Sequence, residues 1–158
     1  MFYTSPSRGQ VTFFEMFEDL VNYTNEYPDE QYKLIIGTDS HSFLNESVIF
    51  VTAIIVHRIG KGGRFYYHKQ KTAYMESLRQ RIYYETFLSL EAATRLTEQL
   101  AQNEDCRLNV EIHLDVGEKG ETRDMIKEVV GMVIGSGYQA CIKPDSFGAT
   151  TVADRFTK

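Results

Sequence analysis

Thr12 is followed three residues later by Glu15, the spacing of a capping box, and Phe13, Phe14, Phe17, Leu20 and Val21 then recur at helical intervals. This predicts an amphipathic helix that ends before Pro28. Lys33 to Asp39 is a short apolar run that stops on a polar cluster, and Val48 to Val56 is the most β-branched segment of the chain. Both predict buried strands. Gly60, Gly62 and Gly63 supply a flexible turn before Arg64 to Lys71, so the second and third strands are expected as an antiparallel hairpin. From Met75 to Gln102 the period becomes helical, with Leu78, Ile82, Ser89, Ala92, Ala93, Leu96 and Leu100 in one stripe.

Leu108 to Asp115 alternates, with Val110, Ile112 and Leu114 on one side and Glu111, His113 and Asp115 on the other. Thr122 to Ile134 is helical again through Met125, Ile126, Val129, Val130 and Val133, and Gly131-x-x-x-Gly135 suggests close packing of that helix on the sheet. Tyr138 to Lys143 reads as a last strand before Pro144, and Ala149 to Phe156 as a short terminal helix. The order is a helix and then β-β-β-α-β-α-β-α. It predicts an α/β domain with a mixed sheet, an antiparallel hairpin and parallel strands covered by helices. One domain is expected over residues 1–158, with residues 1–30 as a helical extension and 33–158 as the core. No apolar stretch approaches the ~20 residues that span a bilayer, and Met1 to Gln10 lacks the apolar segment of a signal peptide, so the cytoplasm is the expected location.

Charge adds a second constraint. The net charge of −5 argues against indiscriminate nucleic-acid binding, which rests on neutralising phosphates with Lys and Arg. Yet between Arg58 and Arg81 lie Arg58, Lys61, Arg64, Lys69, Lys71, Arg79 and Arg81 against the single acid Glu76. One basic face on an acidic body follows, either as solvated side chains on a hairpin or as a surface that docks a nucleic-acid backbone. Phe65, Tyr66, Tyr67 and Tyr74 in the same stretch either pack the hairpin or stack on unpaired bases. Cys106 and Cys141 stand at unrelated spacings that make neither a staple nor a zinc knuckle.

The chemistry concentrates in carboxylates. Asp39 lies where the first apolar strand ends and Asp115 where the fourth ends, and ligands of open α/β sheets gather at such strand ends. Either could instead begin a turn. Glu85 falls in the middle of the apolar stripe, whereas Glu76, Glu91 and Glu98 project to the opposite side. A carboxylate aimed at a core needs a partner, because burying it ionised and unpaired costs several kcal/mol. A salt bridge to Arg81 or Arg79 meets that need, and so does a divalent cation shared with the two aspartates; hard oxygen ligands suit Mg²⁺ or Mn²⁺. Asp39-x-His41 and His113-x-Asp115 each place an imidazole on the strand face of its carboxylate, as metal ligand, proton relay or plain hydrogen-bonded side chain. Lys143, near the end of the last strand, meets a phosphate or is a surface lysine.

Gly37-Thr38-Asp39-Ser40-His41, Arg81-x-x-x-Glu85, His113-Leu114-Asp115-Val116-Gly117, Lys143-Pro144-Asp145 and Val152-Ala153-Asp154-Arg155-Phe156 together resemble the YkuK-like family of ribonuclease H-like proteins, over roughly Lys33 to Lys158. The order β-β-β-α-β-α-β-α is likewise that of the ribonuclease H fold. The resemblance implies a metal-dependent nuclease acting on RNA, RNA/DNA hybrid or structured DNA, in which Asp39, Glu85, Asp115 and Asp154 hold two ions of Mg²⁺ or Mn²⁺. Asp145 competes with Asp154 for the fourth place, although Asp145 or Ser146 could simply cap the terminal helix. Lys61, Arg64, Lys69, Lys71, Arg79 and Arg81 are then the candidates to hold the substrate backbone. The alternative is a non-catalytic ribonuclease H-like module that binds nucleic acid or protein.

Overall fold

The computed structural model describes residues 1–44, 46–103 and 108–146. The expected terminal helix over Ala149 to Phe156, with Asp154, lies outside them, as does Cys106. In order, the elements are β1 (Phe2–Ser5), β2 (Gly9–Thr12), α1 (Phe13–Glu26), β3 (Tyr32–Phe43), β4 (Ser47–Arg58), β5 (Gly62–Ala73), α2 (Leu78–Ala101), β6 (Asn109–His113), a 3₁₀ turn (Arg123–Met125), α3 (Ile126–Gly135) and β7 (Gln139–Cys141). The seven strands form one mixed sheet in the order β2-β1-β5-β4-β3-β6-β7.

Three twelve-residue strands, β3, β4 and β5, make its centre, and each pairs antiparallel with the next. The β4–β5 turn admits only glycine at Gly63, where a Cβ would come within 2.4 Å of the Val56 carbonyl oxygen. β6 and β7 continue the sheet in parallel beyond β3, each reached by a helical crossover. The first strand pair was not expected from the polar opening of the chain. β1 and β2 form a small hairpin whose β1 adds to β5 at Thr4 and Tyr67.

α1 begins on the expected capping box, with Thr12 N–H donating to Glu15 Oε1 at 3.0 Å and Glu15 N–H to Thr12 Oγ1 at 3.2 Å. It buries Phe13, Met16, Phe17 and Leu20, while Phe14 faces solvent. These residues share one core with Leu34 and Ile36 of β3, Ile54 and Val56 of β4, Tyr66 of β5, Val110 and Ile112 of β6, Leu96 and Leu100 of α2, and Val129 and Val133 of α3. Thus α1 is part of the main core rather than an appendage to it, and the three described helices lie on one face of the sheet. Burial of a Leu, Ile, Phe or Met side chain is worth about 1.5–3 kcal/mol, so losing this helix would open much of the core. Gly131 and Gly135 face solvent with no atom near the place of a Cβ, which corrects the expectation that they pack α3 against the sheet. The valines on the other side of α3 do so. Among the described residues no helix is long and apolar enough to cross a membrane.

Candidate metal centre

β3 and β6 run parallel until Gly37 pairs with His113, and there β6 ends while β3 continues to Phe43. Where the strands part, β3 supplies Asp39 and the segment leaving β6 supplies Asp115. Above the parting lies α2, started by Ser77, whose side chain accepts from the Gln80 N–H. Its helical stripe turns Ile82, Glu85, Thr86, Ser89 and Ala93 inward. The consequence is a meeting of three carboxylates, with one oxygen from each of Asp39, Glu85 and Asp115 lying within 4.8 Å of the others. Asp39 and Glu85 are buried, at 9% and 6% exposure.

Alternation on β3 explains what fixes Glu85. Leu34, Ile36, Thr38 and Ser40 share the face turned to the helices. Thr38 Oγ1 lies 2.8 Å from Ser89 Oγ and 3.1 Å from Thr52 Oγ1, so a chain of buried hydroxyls joins β4, β3 and α2 beneath the site. Ser40 Oγ donates to Glu85 Oε2 at 2.5 Å, and Arg81, one helical turn before Glu85, donates to Ser40 Oγ and to the Ser40 carbonyl, the latter at 3.0 Å. Among the described residues no arginine pairs with Glu85 directly. Arg81 acts on it through Ser40, while Arg79 turns to Tyr83 Oη and Glu128 at the surface. Burial raises the Glu85 carboxyl well above the usual carboxylate range; the Ser40 hydrogen bond and the Arg81 charge oppose this, and the charges of Asp39 and Asp115 add to it. Three hard oxygen donors around one point, one of them buried and charged only at a cost, fit a divalent cation such as Mg²⁺ or Mn²⁺.

The other expected residues distribute themselves unevenly. Lys143 reaches the centre, with its Nζ 2.7 Å from Asp115 Oδ1. It is brought there by backbone, since Lys143 N–H donates to the Val116 carbonyl and a Cβ on Gly117 would press on the Lys143 side chain at 3.0 Å. Asp145 is exposed and lies outside the carboxylate group. The ring of His41 packs edge-on against Phe43 at 4.6 Å between centroids. His113 lines the cavity beneath Glu85 and Asp115, but its Nε2 bonds Glu111 Oε1 at 2.7 Å.

The basic hairpin divides between two faces. Arg64 points to the helices, where it bonds Asp19 at 3.1 Å and lies over the Tyr23 ring. Lys69 and Lys71 are exposed on the opposite face of β5, and the register sets them two strands across from Asp39 and His41 through Val51 and Ile49. Lys61 is exposed in the turn. Two features escaped sequence reasoning. Ser40 lies in the Gly37–His41 motif, and its place on the same face as Leu34 and Ile36 was the available signal. Asp19 is buried between Arg64 and Tyr66 and left no signal in the helical pattern.

A family model described as ribonuclease H-like matches residues 15–158, which takes in α1 from its third residue and every later element. Uncharacterized protein YkuK of Bacillus subtilis (strain 168) is 37% identical, with 96% of this chain and 94% of that protein aligned. No solved structure matches the chain. Three acids converging at the parting of two parallel strands, and likeness along nearly the whole length, lead to one conclusion: the chain belongs to the ribonuclease H-like family.

Proposed function

We propose that this protein is a divalent-metal-dependent nuclease that hydrolyses phosphodiester bonds of RNA, RNA/DNA hybrid or structured DNA. The observation that carries the reading is Glu85, a buried carboxylate on the inward stripe of α2 that meets Asp39, inside β3, and Asp115, just past the end of β6. Asp39, Glu85 and Asp115 would hold Mg²⁺ or Mn²⁺, with Asp154 as the fourth acid in preference to Asp145. Bound ions of this kind supply positive charge to an attacking water and to the leaving oxygen.

The chain's own groups do the positioning. Ser40 holds Glu85 Oε2, and Arg81 holds Ser40, so the carboxylate is oriented before any ion arrives. Lys143, ion-paired with Asp115, is placed to pass from that carboxylate to a substrate phosphate. Lys69 and Lys71 offer charge to the nucleic-acid backbone on the face of the sheet that the described helices leave uncovered.

A panel of labelled single strands, duplexes, hybrid and four-way junction, incubated with Mg²⁺ or Mn²⁺, tests the reading. Cleavage of one class, lost in Asp39→Asn and in Asp154→Asn but kept in Asp145→Asn, is expected. Tight binding of a substrate with no cleavage in either metal would instead support a non-catalytic binding module.

A further inference from the structure

Away from the three carboxylates, β6 and β7 bring together side chains whose donor atoms differ in kind. Glu111 and His113 stand two apart on β6 and so share a face, and the parallel register sets Cys141 of β7 beside His113. His113 Nε2 lies 2.7 Å from Glu111 Oε1, and the Cys141 thiol donates to the same oxygen at 2.9 Å. One ligand atom from each of the three lies within 4.8 Å of the others. Glu111 and His113 are buried, at 8% and 5% exposure, and Cys141 is half-buried. Lys33 of β3 takes the other carboxylate oxygen, Oε2, at 3.2 Å, which leaves Oε1 turned to the imidazole and the thiol.

We propose that Glu111, His113 and Cys141 form a second metal site, for Zn²⁺, separate in residues and in donor chemistry from the centre at Asp39. Sulfur, nitrogen and oxygen from three side chains are the ligands zinc takes, with a fourth position left to water, whereas Mg²⁺ and Mn²⁺ prefer an all-oxygen set. A tetrahedral ion with bonds of these kinds holds its ligand atoms roughly 3.3–3.6 Å apart, so the 2.7 and 2.9 Å contacts need only open by a fraction of an ångström. Binding is an exchange of cations. Zn²⁺ takes the place of two protons. The thiol proton leaves to solvent, and the proton by which His113 Nε2 bonds Glu111 passes to Nδ1 by change of tautomer or to solvent, so that His113 binds as neutral imidazole through Nε2.

Lys33 remains on Oε2 and fixes the carboxylate, as partners of metal ligands commonly do. In the metal-free protein the thiol is a hydrogen-bond donor to Glu111 until an ion displaces its proton. The site would tie the three-residue edge strand β7 to β6, just before the chain passes through Lys143.

Titration of the reduced full-length protein with Co²⁺ as a spectroscopic stand-in tests this. A thiolate-to-cobalt absorption band rising to one equivalent and erased by Zn²⁺ is expected. Cys141→Ser should remove the band, Cys106→Ser should keep it, and Asp39→Asn should keep it while losing the response to Mg²⁺ and Mn²⁺. Glu111→Gln, which retains the thiol, should weaken Zn²⁺ binding at least tenfold in competition with a chromogenic chelator. Absence of the thiolate band in the wild type overturns the proposal, as does a band that depends on Cys106 instead. Because Asp39→Asn leaves this site intact, failure of the nuclease reading and failure of the zinc site give different results.

Discussion

Glu85 is held at a cost that only its surroundings can offset. Two unit charges ~5 Å apart repel by roughly 3 kcal/mol at an effective dielectric near 20, and Glu85 faces two such neighbours. Its carboxyl is raised, first by burial and then, against the Ser40 hydrogen bond, by the charges of Asp39 and Asp115, so folding without metal favours its protonated form. The stability this contributes is fully present below the unfolded value of about 4.5 and is lost as pH rises through the higher folded value. Urea midpoints of the metal-free protein should therefore fall as pH is raised above about 5. Glu85→Gln, neutral at every pH, should flatten that fall and match or exceed the wild type at neutral pH, while Glu91→Gln, on the exposed side of α2, should leave it unchanged. A loss of several kcal/mol in Glu85→Gln would mean that the carboxylate serves as a structural ion-pair partner.

At the scale of elements, α1 is fastened to the sheet by a buried charge as well as by its apolar face. Tyr66 Oη donates to Asp19 Oδ2 at 2.5 Å, Arg64 donates to Oδ1 at 3.1 Å, and Arg8 from the β1–β2 turn stands 3.6 Å from Oδ1. Tyr66→Phe removes one hydrogen bond to a buried carboxylate and should cost about 1.5–3 kcal/mol, a fall in melting temperature of roughly 3–12 °C by calorimetry. Arg64→Gln should destabilise through the same acid. Most elements were legible beforehand because their periods are long: β3, β4 and β5 run twelve residues each and α2 runs twenty-four. β1 and β2 are only four residues each and bury little beyond Tyr3, Ser5 and Val11, so alternation has no length in which to show. Glu85 stood out for a different reason, as an acid where periodicity demands an apolar residue, whereas Asp39 was singled out as a strand end and instead lies inside β3, which runs on to Phe43. The partners of His113 were not, because its meeting with Cys141 depends on β6–β7 register, which no local pattern encodes. Ser40 and Arg81 acquire their roles only when α2 is laid across β3.

For the whole molecule, the proposed function requires the basic segment and the acidic centre to serve one substrate. Lys69 and Lys71 are exposed on the face opposite the helices, so the double change to Gln should weaken binding to every nucleic-acid sequence alike. It should also reduce the slope of log affinity against log salt by about 1.4–1.8, two phosphate contacts' worth, and an unchanged slope would reject β5 as the docking face. The centre itself is tested most directly by the melting temperature of the wild type and of Asp39→Asn with and without Mn²⁺. At a hundredfold excess over its dissociation constant an ion adds about 2.7 kcal/mol, which raises the melting temperature of a chain this size by roughly 5–11 °C. The wild type should show that rise and Asp39→Asn should lose most of it, although without metal the variant should melt at or above the wild-type temperature. A wild type whose melting temperature does not respond to Mn²⁺ or to Mg²⁺ would contradict the assignment of Asp39, Glu85 and Asp115 as a metal centre.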